Sequence, residues 1–312
     1  MRNTFVRIKG GTLRTTKRFT PRTLERFEER ERGIGRFENY QPWHQITRSD
    51  PASHGRSHLV FHEGRFIHLL SDKELIVRYF IQMLPNLIEV REQQPLCLYR
   101  ENDYLDQTAD LNEYGMYPGT VEISETLKVK HPSTHDAEQS LPWRMSTDFL
   151  VLQQQENMVK KLAISVKAEP WTSIIKNRRT MQLMDIEREY WRLRNITWLL
   201  ITPETYDYRV GENLRRTAGW VLQESDKALD FSLVSSIVAK NQGRPLSEIL
   251  QILSEAVGDI YRAQVAFWQC VWSGYCPIKL TRGWRPSESV ELISQQEFGE
   301  QNPVACGRSA WK

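Results

Sequence analysis

Cysteine is scarce and scattered: Cys97, Cys270, Cys276 and Cys306 are the four in 312 residues, and no two form a C-x-x-C pair. That spacing offers neither a disulfide framework nor a zinc site, and it suits a reducing compartment. Long apolar runs are lacking too. None approaches the ~20 residues that span a bilayer, and no apolar leader follows Met1, so a soluble cytoplasmic protein without a membrane partner is expected. Nor does one sign of charge dominate, since 42 Lys plus Arg against 39 Asp plus Glu leaves only +3. The distribution says more than the total: residues 1–36 hold eleven Lys and Arg, from Arg2 to Arg36, against four Glu. Such an arm suits a phosphate backbone, and a solvated leader fits the same composition. His131 and His135 have an H-x-x-x-H spacing, but Pro132 and Ser133 between them indicate a loop rather than a ligand-bearing helix.

The chain is long enough for two cores. Thr20-Pro21 starts a capped helix that Gly33 and Gly35 stop, and Leu59 to Leu70 alternates around Glu63-Gly64 as a hairpin does. Ser71-Asp-Lys-Glu74 is a capping box, with Leu75, Ile76, Tyr79, Phe80 and Met83 as the apolar stripe behind it. A short strand from Leu87 to Arg91 ends by Pro95, and the acidic, aromatic, aperiodic stretch from Tyr99 to about Gln139 reads as a surface insertion. Two alternating runs, Met145 to Val151 and Lys161 to Ala168, flank a polar turn at Gln155-Glu156-Asn157 and predict a second hairpin. A helix from about Asn177 to Arg194 and a buried strand from Thr197 to Thr202 follow. Over residues 71–202 the order is helix, three strands, helix, strand, which suits a mixed α/β sheet with helices on its faces. After Pro203 the pattern is helical, at Asn213–Glu224, Phe231–Lys240, Pro245–Ala256 and Asp259–Trp272, with a small ribbon of Ile278–Leu280 and Val290–Ile293. A winged helix-turn-helix and an ordinary helical bundle both fit.

Chemistry concentrates on the second hairpin. Strand alternation sends Ile164 and Val166 one way and Ala163, Ser165 and Lys167 the other. With the first strand in register, Asp148 comes to the same edge, and a carboxylate, a hydroxyl and an ammonium surround one point. Such a set can hold a hard cation and offset charge on an attacked phosphate. A salt-bridged pair on a solvated, exposed hairpin face is the plainer reading of the same residues. For Glu74 the residues alone indicate a helix cap.

Taken together, Gly55-Arg-Ser-His58, His68-Leu-Leu-Ser-Asp72 with Glu74, Val90-Arg-Glu-Gln93 with Pro95-Leu96, Lys130-His-Pro132, Met145-Ser-Thr-Asp-Phe-Leu-Val151, Ala163-Ile with Val166-Lys167, and Glu187 with Tyr190-Trp191 run collinearly over about residues 33–202. In this order they resemble the TnsA family, the endonuclease subunits of heteromeric bacterial cut-and-paste transposases, including those of CRISPR-associated transposons. The resemblance implies a basic arm and helix at 1–36, a restriction-endonuclease-like (PD-(D/E)xK) mixed-sheet domain at 37–205, a winged-helix-like domain at 206–295 and a tail at 296–312. It implies hydrolysis of the phosphodiester bond at the 5′ ends of a mobile element. It also implies Mg²⁺ (Mn²⁺ as substitute), transposon-end DNA, a partner transposase TnsB, the ATP-dependent regulator TnsC bound through the C-terminal part, and a nucleoid-associated location. By the resemblance Glu74, Asp148 and Lys167 are catalytic, with Glu187 a further acidic position and Glu74, Asp148 and Ser165 as metal ligands. Ser165 departs from the pattern, because the family usually carries Gln there. A short neutral hydroxyl ligates weakly or through water, which leaves a non-catalytic scaffold between transposase and regulator as the alternative, beside a stand-alone restriction or repair nuclease of the same fold.

Overall fold

The computed structural model describes residues 19–47, 56–102, 116–136, 139–223, 230–282 and 284–312. The basic positions from Arg2 to Arg18, Gly55, the middle of the 99–139 segment (103–115) and Glu224 lie outside the described residues.

Helix α1 (Pro21–Glu29) begins where Thr20 Oγ1 accepts the Thr23 N–H at 3.2 Å. Gly33 then turns the chain at φ 85°, and a Cβ on it would meet Pro95 Cγ at 2.2 Å, so only glycine fits. Strands β1 (His58–His62) and β2 (Arg65–Leu69) form the first hairpin, and α2 (Asp72–Gln82) follows directly. Strand β3 (Leu87–Pro95) runs past the expected end at Arg91, because Glu92, Gln94 and Pro95 still find partners across the sheet.

The segment expected to be an irregular insertion is partly regular. It contains β4 (Glu101–Asn102), β5 (Met116–Tyr117), α3 (Thr120–Thr126) and β6 (Ser133–His135), with β7 (Ser140–Pro142) just beyond. Helix α3 escapes the sequence pattern because its cap residue is Gly119, whose N–H donates to Glu122 Oε2 at 3.1 Å, and because Ile123 is its one large buried side chain.

The second hairpin is β8 (Ser146–Gln155) and β9 (Met158–Val166), followed by α4 (Trp171–Ile174), α5 (Arg178–Leu193) and β10 (Thr197–Ile201). Four strands make one mixed sheet in the order β10-β9-β8-β3, with β10 parallel to β9 and the other pairs antiparallel. Val90, Phe149, Val151, Ile164, Val166 and Leu199 pack on Val77, Phe80 and Ile81 of α2, while Leu150, Leu152 and Ala163 pack on Ile186, Tyr190 and Trp191 of α5. Both faces at the root of the hairpin are thus covered. The expected solvated, exposed face is found only near the turn, where Met158, Val159 and Lys160 are exposed.

Helices α6 (Tyr208–Val221), α7 (Phe231–Lys240), α8 (Leu246–Val257), α9 (Ile260–Trp272) and α10 (Gln295–Glu300) complete the chain. The expected ribbon reduces to one bridge, Ile278 with Leu292, while Ser289, just before its second run, pairs with Pro245. A proline lacks the N–H that a regular ladder needs, and Pro277 precedes the first of these strands. The core under α2 continues without a break into these helices through Val210, Leu214, Leu253, Phe267 and Trp272. Trp272 sits 5.7 Å from the Tyr79 ring of α2 and donates from Nε1 to Thr217 Oγ1 at 3.1 Å. Truncating it opens a cavity between α2 and α9 and removes the indole donor to that hydroxyl, which keeps its own bond to Asn213 O at 2.9 Å. Trp272→Ala should therefore cost about 3–5 kcal/mol, read as a lower midpoint in a urea melt of the whole chain.

Candidate active site

Three elements converge where β8 and β9 part. Pairing between them stops at Phe149 with Ile164, so Ser146 to Asp148 and Ser165 to Val166 lie beyond the last rung. The freed N–H of Val166 donates instead to Asp148 Oδ2 at 2.6 Å, and that of Lys167 donates to Ile201 O at 3.0 Å. Strict alternation also fails here. Thr147 has the parity of Phe149 and Val151, which face α2, yet its hydroxyl meets Trp191 and Glu187 on the α5 side.

Glu74 enters from the first turn of α2. Ser71 Oγ accepts the Glu74 N–H at 3.2 Å and donates to Glu74 Oε1 at 3.0 Å, as a cap should. The second oxygen goes elsewhere: Glu74 Oε2 accepts from Leu70 N at 2.9 Å and from Gln93 Nε2 at 3.2 Å. The same Gln93 amide donates to Asp148 Oδ1 at 3.3 Å. Glu74 is therefore both cap and site residue, tied to Asp148 by one shared donor. Gln93 is itself held in the left-handed region at φ 50° and is 2% exposed. A non-glycine residue there carries about 1–3 kcal/mol of strain, which the surrounding bonds must hold in place.

Glu187 of α5 lies on the other side of the fork. Its Oε1 accepts from Ser165 Oγ at 2.6 Å, Thr147 Oγ1 at 2.7 Å and Trp198 Nε1 at 3.2 Å. Ser165 thus points at a carboxylate, with its proton committed to Glu187. Lys167 lines a cleft of about 520 Å³ together with Glu187, Glu169, His44, Trp143, Met145 and Asn177.

The electrostatics follow from that crowding. Burial and then the neighbouring Asp148 push the Glu74 carboxyl up to about 8, against the pull of the Leu70 N–H, Ser71 and Lys167. Burial likewise raises Glu187, with Lys167 opposing it. For Lys167 burial acts downward, but Asp148, Glu187, Glu74 and Glu169 outweigh it and hold the ammonium above its ordinary value. Fully ionised, the site would carry more negative charge than one lysine neutralises.

A hard divalent cation fits that surplus and the all-oxygen donors of Glu74 and Asp148. Among the described residues no three His, Cys, Asp or Glu side chains converge on one ion position, so the protein offers two carboxylates and leaves the rest of a shell to water and substrate. His131 is engaged elsewhere, by Pro132 O at 2.8 Å and Thr120 Oγ1 at 2.9 Å. Sequence reasoning finds Glu74, Asp148, Ser165, Lys167 and Glu187 but assigns no role to Gln93, Thr147 or Trp198. An isolated Gln or Thr in a strand gives no signal, because its partners are 19 to 55 positions away.

Two comparisons with known proteins bear on this site. A family described as "TnsA-like endonuclease N terminal" matches residues 85–203, which hold Gln93, Asp148, Ser165, Lys167 and Glu187. The transposon Tn7 transposition protein TnsA of Escherichia coli is 28% identical over 222 residues, covering 70% of this chain and 67% of that protein.

The raised Glu74 has consequences in pH. The folded protein holds this proton more tightly than the unfolded chain, so the stabilisation is full below the ordinary value of 4.5 and is lost as pH rises through about 8. Glu74→Gln should flatten the fall in melting temperature between about pH 5 and pH 9. A cation bound at Glu74 would have to displace that proton. Calorimetric Mg²⁺ affinity should rise about tenfold per pH unit up to the titration point, a slope absent from Glu74→Gln.

Proposed function

We propose, from its likeness to the TnsA family, that the chain is a metal-dependent DNA endonuclease subunit of a transposase. In this reading it hydrolyses the phosphodiester bond at the 5′ ends of a mobile element, while a partner transposase of the TnsB kind cuts the other strand. The observation that carries the reading is the Gln93 amide shared by Glu74 and Asp148, with the Lys167 ammonium among the same carboxylates. The αβββαβ order supports a restriction-endonuclease-like core, and α7 to α9 closed by the Ile278–Leu292 bridge support a winged-helix-like second part, through which a regulator of the TnsC kind docks. No helix among the described residues is long and apolar enough to cross a membrane.

Glu74 and Asp148 would hold the cation, Mg²⁺ with Mn²⁺ as its substitute. Bound there, it would supply the positive charge that acidifies a water and polarises the scissile phosphate. Lys167, kept protonated by the surrounding carboxylates, faces the negative charge that grows on the phosphate oxygens and holds the nucleophilic water in line. Glu187 sets the position of Lys167 by charge and fixes the β9 end through Ser165. Ser165 gives its proton to Glu187, so its oxygen lone pairs are all that it could offer a cation.

Asp148→Ala or Lys167→Ala should reduce Mg²⁺-dependent cleavage of end-containing DNA by at least about two orders of magnitude, measured with the partner transposase present. Full cleavage by either variant would remove the catalytic assignment. Transposition intact without Asp148 would instead make the protein a scaffold, and cleavage without any partner would make it a stand-alone nuclease.

Duplex DNA is the substrate that the cleft's surroundings favour. Lys130, Lys176, Arg178 and Arg179 are exposed where α5 begins, and the Arg179 guanidinium donates to Lys130 O at 2.6 Å, which brings the strip together beside Asn177 and Pro132 of the cleft wall. Among the described residues none of the four has a carboxylate partner. Their joint replacement by Ala in an Asp148→Ala background should weaken binding and flatten the salt slope by about 0.9 for each phosphate that is no longer neutralised. Fluorescence anisotropy on a duplex at several salt concentrations measures this, and an unchanged slope assigns the strip to an acidic protein surface instead.

A further inference from the structure

We infer that Trp311 is a positioning residue for the active site, acting on Glu187 through the indole of Trp198. The segment from Asn302 to Trp311 leaves the helical part and returns across the sheet. Asn302 Nδ2 donates to Phe80 O at the end of α2 at 2.8 Å, and Arg308 Nη1 donates to Thr205 O at 2.9 Å. The chain then closes the outer edge of β10 at a single residue: Leu200 N donates to Ser309 Oγ at 3.0 Å and Ala310 N donates to Leu200 O at 2.8 Å. These bonds deliver the Trp311 ring to a pocket of aromatics. It lies edge-on to Trp198 at 5.6 Å and to Trp171 at 5.4 Å, with the Arg188 guanidinium 5.4 Å from its centroid.

Trp198 is where this packing meets the chemistry. Its Nε1 is one of three donors to Glu187 Oε1, and unlike Ser165 and Thr147, which are almost fully buried, it stands at the partly open side of the cage. A tryptophan has two side-chain torsions, and the hydrogen bond at 3.2 Å fixes neither alone. Edge-to-face packing from Trp311 supplies the second constraint. Without it the indole can turn from Glu187 and water enters beside a carboxylate whose charge helps hold Lys167 protonated. Neither Trp311 nor Trp198 touches the reacting atoms, so the role is positional. The inference rests on the reading of Glu187 and Lys167 as parts of a nuclease site, but one of its two measurements does not need activity.

The first measurement is the indole N–H resonance of Trp198 in ¹⁵N-tryptophan-labelled full-length protein, assigned with Trp198→Phe. In Trp311→Ala this resonance should move upfield and exchange faster with water, and in Trp311→Phe, which keeps a ring edge, it should stay near the wild-type position. The second is cleavage by the complex assembled with the partner transposase. Trp311→Ala should lower kcat about tenfold with little change in KM, and Trp311→Phe should restore kcat. A Trp198 resonance identical in Trp311→Ala and wild type overturns the inference, whatever the activity. So does a loss of kcat in Trp311→Ala that Trp311→Phe does not recover. If Trp311→Ala does not fold, Trp311→Leu, which keeps apolar bulk without a ring edge, takes its place, with the same upfield move of the Trp198 resonance and a kcat below that of wild type. A wild type that never cleaves DNA refutes the nuclease reading alone, because the resonance still reports whether the ring sets the indole.

Discussion

Two carboxylates meet at the open end of the sheet, and the Gln93 amide between them is the interaction on which the site depends. Brought close and buried, Glu74 and Asp148 repel, and that repulsion is part of what lifts Glu74 to about 8. One NH₂ group donating to both offsets part of it and fixes their separation. To place that amide, β3 takes a left-handed residue at Gln93, with its carbonyl accepting the Trp43 N–H at 3.2 Å and its side-chain oxygen accepting from Ser146 at 3.3 Å. The first hairpin is braced against the same stretch: Arg65 clasps Glu92 with two bonds of 2.6 Å, and His68 N donates to Glu92 Oε1 at 3.1 Å. That brace sets where Leu70 and Ser71 stand, and they hold Glu74. The local strain, the hairpin and the helix cap thus serve one geometry.

The acidic residues are sorted by their donors. Glu187 has three hydroxyl and indole donors on one oxygen, an arrangement that fixes a side chain. Glu74 has its two oxygens divided between a helix cap and the Gln93 amide. Asp148 has one oxygen on a strand N–H and one on the same amide. Side chains held so firmly would lose little freedom on binding a substrate or a cation, and that is the condition for electrostatic catalysis.

Regular elements are legible where a period and a cap coincide. Ser71 with Glu74, Asp230 before Phe231 and Asp259 before Ile260 each start a helix within a residue of the sequence reading, because a side-chain acceptor sits where the first N–H groups need one. Helix α3 stays hidden because glycine gives no such mark. Of the site, the charged residues are legible, since Asp148, Lys167 and Glu187 belong to a collinear pattern. Their support is not, because Gln93, Thr147 and Trp198 act through partners on other elements and read locally as ordinary strand residues. The exposure of the hairpin escapes for a related reason: alternation reports which residues share a face, and only the packing of α2 and α5 reveals that both faces are buried.

Irregular chain occupies each border of the four-stranded sheet. On one side Trp43 N and the Tyr40 hydroxyl take the carbonyls of Gln93 and Glu92, and on the other Ser309 and Ala310 take both backbone groups of Leu200. A sheet with bare borders invites a strand from another molecule, either as a recognition mode or as a start to aggregation. Here the template positions at Glu92, Gln93 and Leu200 are already filled. Another chain therefore meets these positions through side chains and loops, and copies brought together find these backbone groups closed to edge-to-edge pairing.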